Sequence, residues 1–155
     1  MVKYVDTQVV FREIPDEIAL AINISGCPNH CENCHSSYLA NDIGTELSFD
    51  NLFKLITSNS GITCVVFMGG DQNPSYINLC AEVIKQSDLS LKTAWYSGKQ
   101  ELNPEININN FNYIKLGPYV PNKGPLDNPN TNQKMFLVKD NNLIDITYKF
   151  WGSNK

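Results

Sequence analysis

The sequence predicts an α/β fold with a mainly parallel sheet. Three observations carry that prediction. The run Cys64-Val65-Val66-Phe67-Met68 is continuously apolar, β-branched and aromatic, as in a strand covered on both faces and therefore parallel to its neighbours. Strand-like and helix-like segments alternate through the middle of the chain, the order that βαβ units produce. The length, 155 residues, suits a single domain over 1–155. It falls short of a complete eight-fold β/α barrel, which needs roughly 200 residues or more.

Each element has a local reason. Gln8-Val9-Val10-Phe11 reads as a strand, turned by Glu13-Ile14-Pro15-Asp16 into a second over 18–24. Ser48 is placed to cap a helix opening Phe49-Asp50-Asn51, with an acidic residue in its first turn. Leu52, Phe53, Leu55 and Ile56 form its apolar stripe. Gly61-Ile62-Thr63 leads into the strand at 64–68, and Gly69-Gly70-Asp71 ends it. Asn73 followed by Pro74 is a cap and first-turn pair. In the helix from Ser75, Ile77, Cys80, Ala81 and Ile84 recur at i, i+3, i+4 and i+7. Strands are expected at 92–96, ended by Ser97-Gly98, and at 113–116, ended by Gly117-Pro118. Residues 103–112 read as irregular, and 118–133 as a long loop, functional or mobile. Residues 135–139, 140–142 and 143–148 read as strand, turn and strand.

Composition narrows the function. Apolar residues at 42% and charged residues at 18% exclude wholesale disorder. A net charge of −4 gives no sign of a general nucleic-acid binder or a basic membrane-surface protein. No apolar run reaches membrane-spanning length, and Met1-Val2-Lys3-Tyr4-Val5-Asp6 lacks the apolar core of a secretion leader. The expectation is a soluble, cytoplasmic protein that engages neither nucleic acid nor membrane.

Five cysteines are present, an odd number in a chain expected to lack a secretion leader, so disulfides are not their expected purpose. Cys64, in the apolar strand, and Cys80, on a helical face, read as small buried hydrophobes. Cys27, Cys31 and Cys34 lie in the polar loop Gly26-Cys27-Pro28-Asn29-His30-Cys31-Glu32-Asn33-Cys34-His35, directly after a strand. Four readings compete there. Zinc would take the three thiolates plus His35 or His30, although structural zinc usually draws on two separated knuckles. A dithiol redox motif would use Cys31 and Cys34 and leave Cys27 surplus. Cys31-Glu32-Asn33-Cys34-His35 also matches the c-type haem attachment pattern. An iron–sulfur cluster suits closely spaced soft thiolates, and three ligands leave one metal position open, as catalysis needs.

Right-handed crossovers would gather the carboxyl ends of the parallel strands at one edge. That edge collects the cysteine loop, Gly69-Gly70-Asp71, Ser97-Gly98 and Gly117-Pro118, where ligands of open α/β sheets bind.

These residues resemble the radical S-adenosylmethionine (SAM) enzymes. Cys27, Cys31 and Cys34 match the C-x3-C-x2-C signature after the first barrel strand. Gly69-Gly70-Asp71 matches the Gly-Gly-acid ending of the next strand, with Asp where Glu is commoner. Within that superfamily the chain is similar to the small activating proteins of anaerobic ribonucleoside-triphosphate reductase. Ala94-Trp95-Tyr96-Ser97-Gly98, Leu116-Gly117-Pro118-Tyr119 and Asn130-Thr131-Asn132-Gln133 resemble three of their later elements. An aromatic residue often precedes the third cysteine in the superfamily; here Asn33 does.

The resemblance implies a short, open partial (β/α) barrel of the radical SAM type. It implies one [4Fe–4S] cluster on Cys27, Cys31 and Cys34, its fourth iron chelated by SAM. Asn33, Cys34 and His35 would border the nucleoside, and Ser97 would belong to the cofactor site. Gly69 and Gly70 would let the methionyl amino group approach because no Cβ intervenes. Asp71 would anchor that group or cap the strand end. His35 would hydrogen-bond at the site or face solvent, and His30 would be solvated. Reduction by a donor such as a flavodoxin would cleave SAM to methionine and a 5′-deoxyadenosyl radical. That radical would take a hydrogen from a glycine Cα in the large subunit of the reductase, with the loop at 118–133 as part of the docking surface. The implied alternatives are activation of another glycyl-radical enzyme and a non-catalytic Cys3His zinc module.

Overall fold

The computed structural model describes residues 1–26 and 43–151. The strands are β1 (Lys3–Val10), β2 (Ala19–Ile24), β3 (Thr45–Glu46), β4 (Cys64–Met68), β5 (Lys92–Tyr96), β6 (Tyr113–Leu116), β7 (Lys134–Lys139) and β8 (Asn142–Asp145). Two helices, α1 (Phe49–Thr57) and α2 (Pro74–Lys85), lead into β4 and β5. All eight strands join one sheet in the order β3-β1-β2-β4-β5-β6-β7-β8. The central pairs are parallel: β2 with β4, β4 with β5, β5 with β6. β1 with β2, joined by residues 11–18, and β7 with β8, joined by the tight turn Asp140-Asn141, are antiparallel.

The expectation of a mainly parallel sheet therefore holds for the centre alone. β1 with β3 and β6 with β7 are also antiparallel, so both flanks depart from it. The expected strands at 92–96 and 113–116 appear with those bounds. The first strand is longer than 8–11, starting at Lys3 and carrying a register shift between Tyr4 and Asp6 that blurs its alternation. The last is shorter than 143–148. Asp145 Oδ1 accepts hydrogen bonds from the Thr147 amide (2.9 Å) and hydroxyl (2.6 Å), which turns the chain into a 3-10 segment, Thr147–Phe150.

Both helices begin as their caps dictate. The Ser48 hydroxyl accepts from the Asn51 amide at 3.1 Å, and Asn73 Oδ1 accepts from the Tyr76 amide at 3.3 Å, with Pro74 in the first turn. α1 buries Leu52 and Ile56; α2 buries Ile77, Cys80, Ala81 and Ile84.

Both helices pack on one face of the sheet, against Leu20, Ile22, Ile24, Val65, Phe67, Trp95, Ile114 and Leu116. The opposite face carries smaller residues on the central strands: Ala19, Ala21, Cys64, Val66 and Ala94. Turns and loops cover it through Ile14, Leu126 and Ile146. The parallel strands run in sequential order with no reversal. The helices α1 and α2 lie on one face, whereas a doubly wound sheet has helices on both.

Candidate functional site

Because β2, β4, β5 and β6 are parallel, their carboxyl ends share one edge, as expected. Cys27, Cys31 and Cys34, with Asn33, His35 and His30, lie outside the described residues. The flanks of that segment are described, and they meet. The Ser25 hydroxyl donates to the Ile43 carbonyl at 2.6 Å, so the chain leaves and returns at one point. The Ser25 carbonyl also accepts from Gln72 Nε2 at 2.8 Å, tying the exit of β2 to the exit of β4.

Gly69, Gly70, Asp71 and Ser97 are brought together beside it. The Gly69 amide donates to the Tyr96 carbonyl at 3.1 Å, and Trp95 Nε1 donates to the Gly69 carbonyl at 2.7 Å. Asp71 reaches across to the end of β5. Its Oδ1 accepts from the Ser97 hydroxyl at 2.6 Å and its Oδ2 from the Gly98 amide at 2.7 Å. Ser97 is buried (1% exposed), and its oxygen accepts from the Lys99 amide at 3.1 Å. The Ser97 amide donates to the Lys115 carbonyl, and the Gly117 amide to the Lys99 carbonyl, so the exits of β4, β5 and β6 form one hydrogen-bonded strip.

The glycines have a structural reason of their own. Gly70 has φ +97°, and a Cβ there would lie 2.5 Å from Ile77 Cδ1. Gly69 has φ +113°, with its Cβ direction 3.2 Å from the Ile24 carbonyl oxygen. Both missing side chains would point into protein. Glycine is needed here for left-handed backbone and for the seating of α2.

Sequence reasoning passed over Lys115. It stands in the apolar strand Tyr113-Ile114-Lys115-Leu116 but is only 7% exposed. Its ammonium donates to the carbonyls of Gly117 (2.8 Å) and Ser97 (3.3 Å) and lies 5.5 Å from the Tyr96 ring centroid. A lysine inside an otherwise apolar strand was the signal available, since such a charge is seldom buried without carbonyl or ring partners.

The later family-like elements also converge. Asn132 Nδ2 donates to the Pro118 carbonyl at 3.0 Å, and Gly117 packs against Gln133. The loop between them is a succession of turns rather than an extended strap: the Val120 carbonyl accepts from the amides of Lys123 and Gly124, and Thr131 Oγ1 donates to the Gly124 carbonyl. Leu126 anchors it in the core of the small-residue face. There an open groove of about 1130 Å³ runs beside Tyr96, Leu126 and Gln133, with Phe11 and Arg12 on one side and Tyr148 on the other. Phe11 is 68% and Tyr148 58% exposed.

At the opposite end of the strands, Glu17 is buried among Thr63, Lys92 and Tyr113. Burial, then the nearby Glu17 charge, pushes the Cys64 thiol up to about 12; burial pushes Cys80 up to about 12. Both are protonated core thiols at neutral pH, as expected of buried hydrophobes. Among the described residues no group of three or more His, Cys, Asp or Glu is placed to hold a metal ion. Nor is any helix there long and apolar enough to cross a membrane. No family model matches the chain, and comparison with curated proteins and with solved structures yields no match.

Proposed function

We propose that the chain is a radical SAM activase that generates the glycyl radical of an anaerobic ribonucleoside-triphosphate reductase. The observation that carries this reading is the carboxyl edge of the parallel strands. Both flanks of the C-x3-C-x2-C segment are tied there, next to Gly69-Gly70-Asp71 and Ser97. The one-sided helices and sequential strand order support an open partial (β/α) barrel whose inner face is the small-residue face.

The donor set fits a [4Fe–4S] cluster. Cys64 and Cys80 are held as protonated thiols in the core, so three cysteines remain, grouped at close spacing. Cys27, Cys31 and Cys34 would hold the cluster, with one iron left for SAM. Cluster and SAM would supply the one-electron cleavage and the hydrogen abstraction from glycine, with the electron drawn from a reductant such as a flavodoxin. The chain's own residues bind and orient. Gly69 and Gly70 stand at the edge, their backbone fixed by Trp95, Tyr96 and Asn73. Lys115 brings a positive charge beneath it. The groove walled by Leu126 and Gln133 would admit a glycine-bearing segment of the partner.

Anaerobic reconstitution with iron and sulfide tests the reading. A broad visible band bleached by dithionite, SAM cleavage to 5′-deoxyadenosine, and a glycyl-radical EPR doublet on mixing with the reductase large subunit are expected. A doublet appearing only with a different glycyl-radical enzyme would move the partner and keep the chemistry. Colourless protein holding one zinc, or a sharp Soret band, would overturn it.

A further inference from the structure

We infer that Asp71 is a positioning residue: it forms with Ser97 and the Gly98 amide a clasp that sets the spacing between the exits of β4 and β5, and it does not itself bind the ligand's amino group. The inference rests on the reading of this edge as a SAM site.

The geometry argues for the clasp in three steps. Both carboxylate oxygens are engaged across the gap between strands, at 2.6 Å to the Ser97 hydroxyl and 2.7 Å to the Gly98 amide. These are short, charge-assisted bonds, stronger than neutral ones and directional. The Ser97 side is fixed from behind, because its oxygen also accepts from the Lys99 amide and its backbone is bonded to Lys115 on both the amide and the carbonyl. Ser97 is 1% exposed, so its hydroxyl faces protein rather than a ligand. Finally, the carboxylate is fixed from its own side: Gly70, with φ +97° and packed on Ile77, is the residue immediately before it, and the Asn73 amide donates to the Gly70 carbonyl at 2.9 Å.

The clasp accounts for aspartate at a position where the resembling enzymes commonly have glutamate. A side chain one methylene longer would carry its oxygens past both donors unless the loop withdrew. Asp71 and Ser97 are therefore a matched pair.

The test uses the reconstituted, full-length protein, SAM as probe, and the variants Asp71→Asn, Asp71→Glu, Ser97→Ala, Ser97→Thr and Asp71→Asn/Ser97→Ala. Hydrogen exchange at the Gly98 amide reads the clasp without reference to any cofactor; SAM dissociation constants and the separate kcat and KM for cleavage read its consequence. Asp71→Asn and Asp71→Glu should each speed Gly98 exchange and weaken SAM binding by about tenfold, the size expected for one lost charge-assisted bond. Ser97→Ala should weaken it by about threefold, Ser97→Thr should restore it, and the double variant should be no worse than Asp71→Asn alone. A change in KM with kcat held is expected. Losses that multiply in the double variant, or a loss of SAM affinity in Asp71→Asn with Gly98 exchange unchanged, would make Asp71 a direct ligand contact and overturn the inference. If the unmodified protein binds no SAM while Gly98 exchange still responds to Asp71→Asn, the site reading fails and the clasp survives as a structural pin; if exchange does not respond, the clasp itself is wrong.

Discussion

At the amino end of the parallel strands, the Glu17 carboxylate accepts hydrogen bonds from Thr63 (2.7 Å), Lys92 (2.7 Å) and Tyr113 (3.1 Å). At the carboxyl end, the Asp71 carboxylate accepts from the Ser97 hydroxyl and the Gly98 amide. The two acids do different work. Glu17 gathers side chains at or next to the starts of β4, β5 and β6, so it ties that end of the sheet together. Asp71 holds loop backbone beside glycines, at the edge where the cysteine segment departs and returns. Such ties stabilise, whereas positioned loops bind. The amino end should therefore respond to mutation in stability and the carboxyl end in ligand handling, the division that β/α architectures show between their two faces.

The largest effect that would break this comparison is at the cysteines. Cys27→Ala, Cys31→Ala or Cys34→Ala should each abolish SAM cleavage in anaerobically reconstituted protein, measured as 5′-deoxyadenosine, while Cys80→Ala retains it. Retained cleavage in any of the first three rejects the ligand assignment.

Gly70→Ala sharpens the comparison from the structural side. Left-handed backbone and the collision with Ile77 together should cost about 3 kcal/mol in urea denaturation. Gly61→Ala is its control: φ there is +88°, but nothing lies within 4 Å of the added carbon, so the loss should be about 1 kcal/mol. Equal losses would show that packing on α2 contributes nothing to the need for glycine.

Glu17→Gln comes next. Lys92 is half exposed and keeps water, while Tyr113 and Thr63 lose a charged acceptor, so a loss of about 2 kcal/mol is expected. SAM affinity per folded molecule should not change. A fall in affinity with stability intact would erase the distinction between the two ends.

The smallest effect concerns Asp145, on the edge strand β8. Burial raises its pKa, but hydrogen bonds from Thr147 and the Lys134 charge outweigh that and hold it below the ordinary value of 3.8. A carboxylate favoured in the folded state adds stability above the unfolded pKa, and that contribution disappears as pH falls through the lowered folded value. Asp145→Asn should flatten the acid limb of the urea midpoint below about pH 4. A limb as steep as that of the unmodified protein would count against the Thr147 turn.

Much of the fold was legible in order along the chain. The parallel strands show as short apolar runs closed by Gly or Ser-Gly, and α1 and α2 show as capped amphipathic repeats, because strand burial and helix periodicity are local signals. The flanks were less legible. The register shift in β1 interrupts its alternation, and Asp145 ends β8 through a side-chain turn that a run of apolar residues conceals. At the site, the glycine pair, Asp71 and Ser97 were visible as residues, but their mutual contact was not. Lys115 was missed because an apolar strand does not announce which of its members faces the small-residue side.

By itself the sequence determined the element types, their order and the chemistry on offer: three grouped thiols, glycines at strand ends, an acid beside them. These follow from periodicity, capping and side-chain character, which act over a few residues. Only the tertiary structure decided that the two helices share one face, that the small residues share the other, and that Asp71 is joined to a strand end 26 residues away. Those outcomes depend on crossovers and hydrogen bonds between segments distant in the chain, and no local pattern encodes them.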